Sequence, residues 1–169
     1  MSHDQGLTAL EVLGVAIKSE IDAATLYARL AERVRNALLV DKLTFLRSEE
    51  EKHRAILQDL YARRFPDVRL QLPSTSIVPT IDATDIESLS IPELFQLAME
   101  AEQLAAEFYS RQADRSGDEA GRTVLRYLSN VERGHCHILE TEYTLISRFP
   151  DYYDADGFHL GDELMFVGP

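Results

Sequence analysis

The sequence predicts an all-α fold: a four-helix bundle in which one long crossover joins two helical hairpins. Apolar residues recur at helical spacing in four segments, and capping signals mark where these segments begin. Between the second and third segments lies a stretch rich in proline, serine, threonine and aspartate, which is typical of an extended connection. We therefore expect residues 1–150 to form one bundle domain and residues 151–169 a C-terminal tail.

The first hairpin is predicted from one capping signal and one break. Thr8-Ala9-Leu10-Glu11 has the pattern of a capping box, and helical periodicity continues from it to about Val34. A break near Asn36 precedes a second predicted helix, from about Leu39 to Ala62. The crossover is expected to occupy residues 66–89.

The second hairpin repeats this arrangement. Ser90-Ile91-Pro92-Glu93 is a second capping box with proline in the first turn, and the third helix is predicted to reach about Arg115. Ser116-Gly117-Asp118 forms a turn, and a fourth helix should run to about Phe149, where Pro150 ends it.

Composition limits the classes of function. The chain has 169 residues, of which 45% are hydrophobic, enough for one core. Its net charge of −12 disfavours binding to nucleic acid through a basic surface. Cys136 is the only cysteine, which excludes an internal disulfide or a cysteine cage within one chain. No apolar run is long enough to span a membrane, so we expect a soluble, cytoplasmic protein.

The two halves of the sequence resemble each other at a constant offset of 82 positions, the difference between 102 and 20. Apolar pairs such as Tyr27 and Tyr109 alone could be coincidence between two amphipathic hairpins. However, the offset also relates the chemically important residues. Each half carries one Glu followed by Glu-x-x-His at the same distance. These residues are Glu20, Glu50, His53, Glu102, Glu132 and His135.

These acids interrupt otherwise apolar helix faces. Burying an ionised carboxylate without compensation costs several kcal/mol, and four of them would also repel one another. No lysine or arginine lies on the same faces to balance them. Two divalent cations would neutralise four carboxylates and leave two neutral imidazoles as ligands, so the pattern predicts a dimetal site.

The ligand types indicate which metal binds. Carboxylate and imidazole without thiolate suit iron or manganese. A Glu on each of two helices and Glu-x-x-His on each of the other two is the arrangement of dimetal carboxylate bundles. We expect Glu20 and Glu102 to be terminal ligands, Glu50 and Glu132 to bridge the metals, and the two histidines to bind one metal each.

Several neighbouring residues have two interpretations. Alanines around the terminal glutamates leave room for metal and oxidant, or simply allow close helix packing. Tyr27 and Tyr109 are candidates to donate hydrogen bonds to ligand carboxylates, or are ordinary core tyrosines. Glu49 and Glu51 flank Glu50 on outer faces, where they either attract cations or are solvated helix acids.

The six ligand candidates and the long crossover together resemble the rubrerythrin family of ferritin-like di-iron proteins, over about residues 8–149. The resemblance implies a ferritin-like four-helix bundle that oxidises Fe(II) and reduces hydrogen peroxide or dioxygen. Full-length rubrerythrins also carry a rubredoxin-like domain with four iron-binding cysteines. Because this sequence has one cysteine, we expect an external electron donor such as a rubredoxin-like protein. Members also have an extra glutamate where this chain has Ala105, mirrored by Ala23, so a symmetric site is expected.

Other functions remain open on the sequence alone. One is iron handling, in which Fe(II) is oxidised or sequestered without an organic substrate. Another is a bundle whose metals are purely structural. A manganese catalase-like activity is a variant of the oxidoreductase that reduces peroxide or dioxygen. We expect a homodimer, because symmetric dimers are the commonest oligomers.

Overall fold

The computed structural model describes residues 7–74, 76–77 and 87–150, and these contain four long α-helices and no strand. The predicted all-α class is confirmed. None of the described helices is long and apolar enough to cross a membrane. The helices are α1 (Ala9–Arg33), α2 (Ala37–Arg64), α3 (Ile91–Arg115) and α4 (Glu119–Arg148).

Both predicted capping boxes are present and set where α1 and α3 begin. The Thr8 hydroxyl accepts the Glu11 backbone N–H at 3.3 Å, and the Glu11 carboxylate accepts the Thr8 backbone N–H at 2.8 Å. Ser90 and Glu93 make the same pair of bonds at the start of α3. Each box satisfies backbone donors that a helix N-terminus leaves unpaired.

Helix α2 is longer than predicted, by two residues at each end. The Asn36 side chain accepts the Leu39 backbone N–H at 3.2 Å, so the helix begins at Ala37 directly after this cap. At the other end the Phe65 backbone N–H donates to the Tyr61 carbonyl, which carries the helical turn past Ala62.

The helices pack as two hairpins laid side by side. α1 packs along α2 and α3 along α4, while α1 also contacts α3 and α2 contacts α4. The loops within each hairpin are only a few residues long, which makes the paired helices antiparallel neighbours.

The crossover lies against α1 where the structure describes it. Leu70 and Ile77 pack against the buried core. The Ser19 hydroxyl lies 3.1 Å from the Ser76 hydroxyl and accepts the Ile77 backbone N–H at 3.2 Å. Most of the second half of the predicted crossover, residues 78–86, and the predicted tail, residues 151–169, lie outside the described residues.

The buried core has two apolar clusters. Residues related by the 82-residue offset lie in opposite clusters. Leu57 belongs to the first cluster, and its counterpart Leu139 belongs to the second. Leu43 belongs to the second cluster and its counterpart Leu125 to the first. Tyr27 and Tyr109 are divided in the same way. The repeat therefore corresponds to a pseudo-twofold axis, and the candidate ligands lie between the clusters.

We expect Leu57→Ala and Leu139→Ala to lower the free energy of unfolding of metal-free protein by similar amounts, about 2–5 kcal/mol each. Both side chains are fully buried at equivalent positions. Urea denaturation of the two variants measures this. Ile56→Ala, at an exposed position on α2, is the control and should cost far less. A large loss in one variant and almost none in the other would contradict equal roles for the two clusters.

Candidate metal centre

The six predicted ligand side chains converge in the middle of the bundle. Helical spacing places Glu50 and His53 on one face of α2, and Glu132 and His135 on one face of α4. α1 and α3 each add one glutamate from the opposite side. All six residues are at most 4% exposed: Glu20, Glu50, His53, Glu102, Glu132 and His135.

The six side chains form two overlapping groups. Within each group, one ligand atom from every residue lies within 4.8 Å of the others. Each group has one terminal glutamate and one histidine of its own, and both groups share Glu50 and Glu132. The members are Glu20, Glu50, His53 and Glu132 in one group, and Glu50, Glu102, Glu132 and His135 in the other.

The contacts of the two imidazoles follow the pseudo-twofold symmetry. His53 Nδ1 lies 3.1 Å from Glu132 Oε1 and 3.4 Å from Glu50 Oε2. His135 Nδ1 lies 2.9 Å from Glu50 Oε1 and 3.0 Å from Glu132 Oε2. The two rings stack at a centroid distance of 5.5 Å. Each imidazole therefore faces both shared glutamates through the same nitrogen.

The terminal glutamates complete this pattern. His53 Nδ1 lies 3.5 Å from Glu20 Oε2, and His135 Nδ1 lies 3.8 Å from Glu102 Oε2. Glu20 and Glu102 occupy equivalent positions on α1 and α3. Each histidine is thus approached by three carboxylates, one from its own helix and two from others.

Several buried polar atoms at this site lack a hydrogen-bond partner, although buried polar groups are normally paired. No lysine or arginine is among the fully buried residues that the structure describes. Unpaired carboxylate and imidazole atoms at such short separations fit a pair of cations of the iron or manganese type. The unpaired atoms are Glu50 Oε1, both nitrogens of His53, both oxygens of Glu132 and His135 Nδ1.

The carboxylates change the protonation of the two histidines. Burial favours the neutral imidazole, but the three carboxylates nearest to each ring outweigh it. They raise the pKa of His53 far above its usual value and the pKa of His135 to about 12. The metal-free site therefore favours protonated imidazoles, and a bound cation would displace these protons to give the neutral imidazole ligands predicted from the sequence.

Two of the glutamates are also pushed toward their neutral form. Desolvation raises the pKa of Glu50, and repulsion from Glu102 and Glu132 adds to it. Desolvation raises the pKa of Glu102 to about 8. Desolvation opposes ionisation of Glu132 too, but the approach of His135 and His53 lowers its pKa to about 2. Protons thus neutralise part of the metal-free site, and bound cations would displace them, so metal affinity should rise with pH.

Tyr27 and Tyr109 contact the terminal glutamates across the bundle. The Tyr27 hydroxyl donates to Glu102, and the Tyr109 hydroxyl donates to Glu20. Both tyrosines are fully buried, and desolvation with the nearby carboxylates raises the pKa of each hydroxyl well above its usual value. Each hydroxyl therefore keeps its proton and fixes one carboxylate of the opposite hairpin.

A small cavity opens beside the glutamates on the α1–α3 side. Its volume is about 10 Å³, close to the minimum that holds one water molecule. Alanines at positions 23, 101 and 105 line it together with Ser19 and four of the candidate ligands. The small side chains therefore leave space next to the carboxylates.

One residue at the centre has a different place from that expected. Glu49 was predicted to lie on an outer face, yet it forms a third group with His53 and His135 whose ligand atoms lie within 4.8 Å of one another. The available signal was its spacing, since residues 49 and 53 are four apart and share a helix face.

Comparison with known proteins places this geometry in a family. The rubrerythrin family model matches residues 11–143, a range that includes all six candidate ligands. A solved structure of a hypothetical protein from Pyrococcus furiosus is 35% identical with a TM-score of 0.75, covering 85% of this chain and 92% of that chain. A search of curated proteins gave no significant match. The chain belongs to the rubrerythrin family of ferritin-like bundles, which typically bind iron.

Proposed function

We propose that this protein is a non-haem di-iron oxidoreductase that couples oxidation of Fe(II) to reduction of hydrogen peroxide or dioxygen. The observation that supports it is the pair of overlapping ligand groups that share Glu50 and Glu132. A shared pair of carboxylates suits two adjacent metal ions, whereas separate groups would suit two independent ions.

Each candidate ligand has a role in this proposal. Glu50 and Glu132 would be shared by the two metals, because they belong to both groups. Glu20 and His53 bind one metal, and Glu102 and His135 bind the other. Iron is the metal we propose, with manganese as the alternative, because the donor atoms are oxygen and nitrogen only.

Reduction of hydrogen peroxide to water requires two electrons at one site. When bound, two adjacent iron ions supply the two electrons that convert hydrogen peroxide and two protons to two water molecules. The surrounding residues hold the ligands in position and exclude bulk water, since every candidate ligand is buried. The cavity on the α1–α3 side, about 10 Å³ in volume, marks where a small molecule would approach Glu20 and Glu102.

The tyrosines position the terminal glutamates in this proposal. Tyr27 and Tyr109 each hold one terminal carboxylate through a donated hydrogen bond. Their hydroxyls stay protonated and so keep donating to these carboxylates. We assign both residues this supporting role rather than metal binding.

We further propose that electrons come from a separate donor, such as a rubredoxin-like protein. A rubredoxin-type iron site needs four cysteines, and this sequence has one. We also propose that the protein acts as a homodimer in the cytoplasm. Light scattering tests the dimer, and a large hollow assembly would instead favour iron storage.

We expect Glu50→Ala and Glu132→Ala each to lose most of the bound metal, because each substitution removes a ligand from both groups. Metal analysis of the purified, iron-reconstituted proteins measures this. Glu142→Ala is the matched control: Glu142 is a buried glutamate on α4 that pairs with Lys42 outside both ligand groups. The control should keep two metals per chain, and two metals in Glu50→Ala would refute the bridging assignment.

We expect Tyr27→Phe and Tyr109→Phe each to weaken metal binding by roughly tenfold, because groups that orient a ligand typically contribute this much. The ring volume is preserved, so folding should be little affected. Competition with a chelator gives the affinities. Tyr61→Phe is the control, because its hydroxyl lies 3.5 Å from the Arg69 carbonyl, away from the candidate ligands. Unchanged affinity in both test variants would eliminate the positioning role.

Reaction of the Fe(II)-loaded protein with each oxidant tests the proposed activity. In anaerobic stopped-flow mixing, about one hydrogen peroxide should oxidise two irons, which is the balance of a two-electron reduction at a metal pair. Dioxygen is tested in parallel to rank the two oxidants. Failure of both to oxidise the iron would leave only a structural role, and manganese in the purified protein would favour the catalase-like alternative.

A further inference from the structure

The pseudo-twofold symmetry of the centre is broken at Glu49, whose carboxylate lies within 4.8 Å of both histidines. The residue equivalent to Glu49 in the second half is Val131, by the offset of 82 that relates 20 to 102. All six candidate ligands have counterparts of the same type, but this carboxylate has none. Its presence is therefore not explained by the symmetric dimetal site.

Glu49 differs from the candidate ligands in its access to solvent. Its side chain is 20% exposed, whereas those of the six candidate ligands are at most 5% exposed. Its carboxylate still groups with His53 and His135 within 4.8 Å. Both nitrogens of His53 are buried without a hydrogen-bond partner. Glu49 is thus a partly exposed carboxylate next to buried imidazoles on the α2–α4 side.

The small cavity beside the glutamates lies on the other side of the centre. It is lined by residues of α1 and α3 together with Glu50 and Glu132, and neither histidine lines it. The two sides therefore differ: four glutamates with small side chains line one, and a partly exposed carboxylate with two imidazoles lies on the other.

We propose that Glu49, with His53 and His135, is a transient capture site through which divalent cations load the dimetal centre. A hydrated cation sheds its water in steps, and a partly exposed carboxylate supplies the first protein ligand. The arriving cation displaces the protons of the neighbouring imidazoles to solvent, and the ion then passes from these imidazoles to the shared glutamates Glu50 and Glu132. The site is used in transit, because each imidazole is needed as a ligand of the dimetal centre itself.

Lys52 forms an ion pair with the Glu49 carboxylate in the metal-free protein. Its ammonium lies 2.5 Å from Glu49 Oε1 and is itself largely exposed. An arriving cation competes with Lys52 for Glu49. Removal of the lysine should therefore speed capture, which is an effect opposite in sign to removal of the glutamate.

This inference rests on the proposed dimetal centre, and the experiment separates the two. Metal-free protein is mixed with Co²⁺, and the visible absorption of the bound ion gives the loading rate and the final stoichiometry. Release to excess chelator gives the dissociation rate. If wild-type protein does not bind two Co²⁺ ions, the proposed function fails; the capture site is tested by the rates of the variants.

Glu49→Gln should load roughly tenfold more slowly than wild type, in the range by which local charge alters association rates. Release should slow by a similar factor, because a site on the path changes both rates and leaves the equilibrium affinity unchanged. Lys52→Met should load several-fold faster. The matched controls are Glu51→Gln and Arg47→Met, because these residues form an equivalent exposed pair on α2, and both should load like wild type.

Two results would overturn the proposal. If Glu49→Gln and Glu51→Gln load at the same rate, the effect is general surface charge and Glu49 is not a capture site. If Glu49→Gln releases Co²⁺ faster and binds it more weakly, Glu49 supports the bound state as a ligand or an orienting group instead. Slower loading and slower release together are expected only if Glu49 lies on the path by which cations enter and leave the dimetal centre.

Discussion

The structure depends on compensating four carboxylates buried in the middle of a helical bundle. Such charges are tolerated only if opposite charge or protons are supplied. In the metal-free site, protons supply this compensation. The raised pKa values favour protons on the two histidines and on Glu50 and Glu102. Two bound cations would replace these protons and supply the same positive charge. The same arrangement therefore allows the protein to fold and prepares it to bind metal.

The sequence repeat supplies the same set of buried ligands once in each hairpin. Each hairpin supplies a terminal glutamate, a shared glutamate and a histidine, and each supplies a tyrosine that holds the carboxylate of the other hairpin. Residues paired by the repeat lie in opposite apolar clusters, so the candidate metal centre lies where the two hairpins meet. Symmetry therefore gives each metal position equivalent ligands. Glu49 is the exception, and its asymmetric position is what suggests a role in loading rather than in binding.

Most of the fold and the convergence of the six side chains could be predicted from the sequence. Capping boxes at Thr8 and Ser90 fixed two helix starts, and the paired Glu-x-x-His motifs pointed to one face of each helix. The bounds of α2 were missed by two residues, because the cap at Asn36 and the last turn before Phe65 have weak sequence signals. The protonation of His53 and His135 could not be predicted, because it depends on how closely three carboxylates from different helices approach each ring. The place of Glu49 was missed for a similar reason, since its partner His135 belongs to another helix.

Anomalous diffraction from crystals of the iron-loaded protein would locate the metals among the six candidate ligands. We expect two iron peaks about 3.5–4 Å apart, the usual separation in two-metal sites. Both ions should contact Glu50 and Glu132, with one histidine on each ion. A single ion, or two ions without a shared glutamate, would rule out a shared dimetal centre and leave a helical scaffold whose buried acids need another explanation.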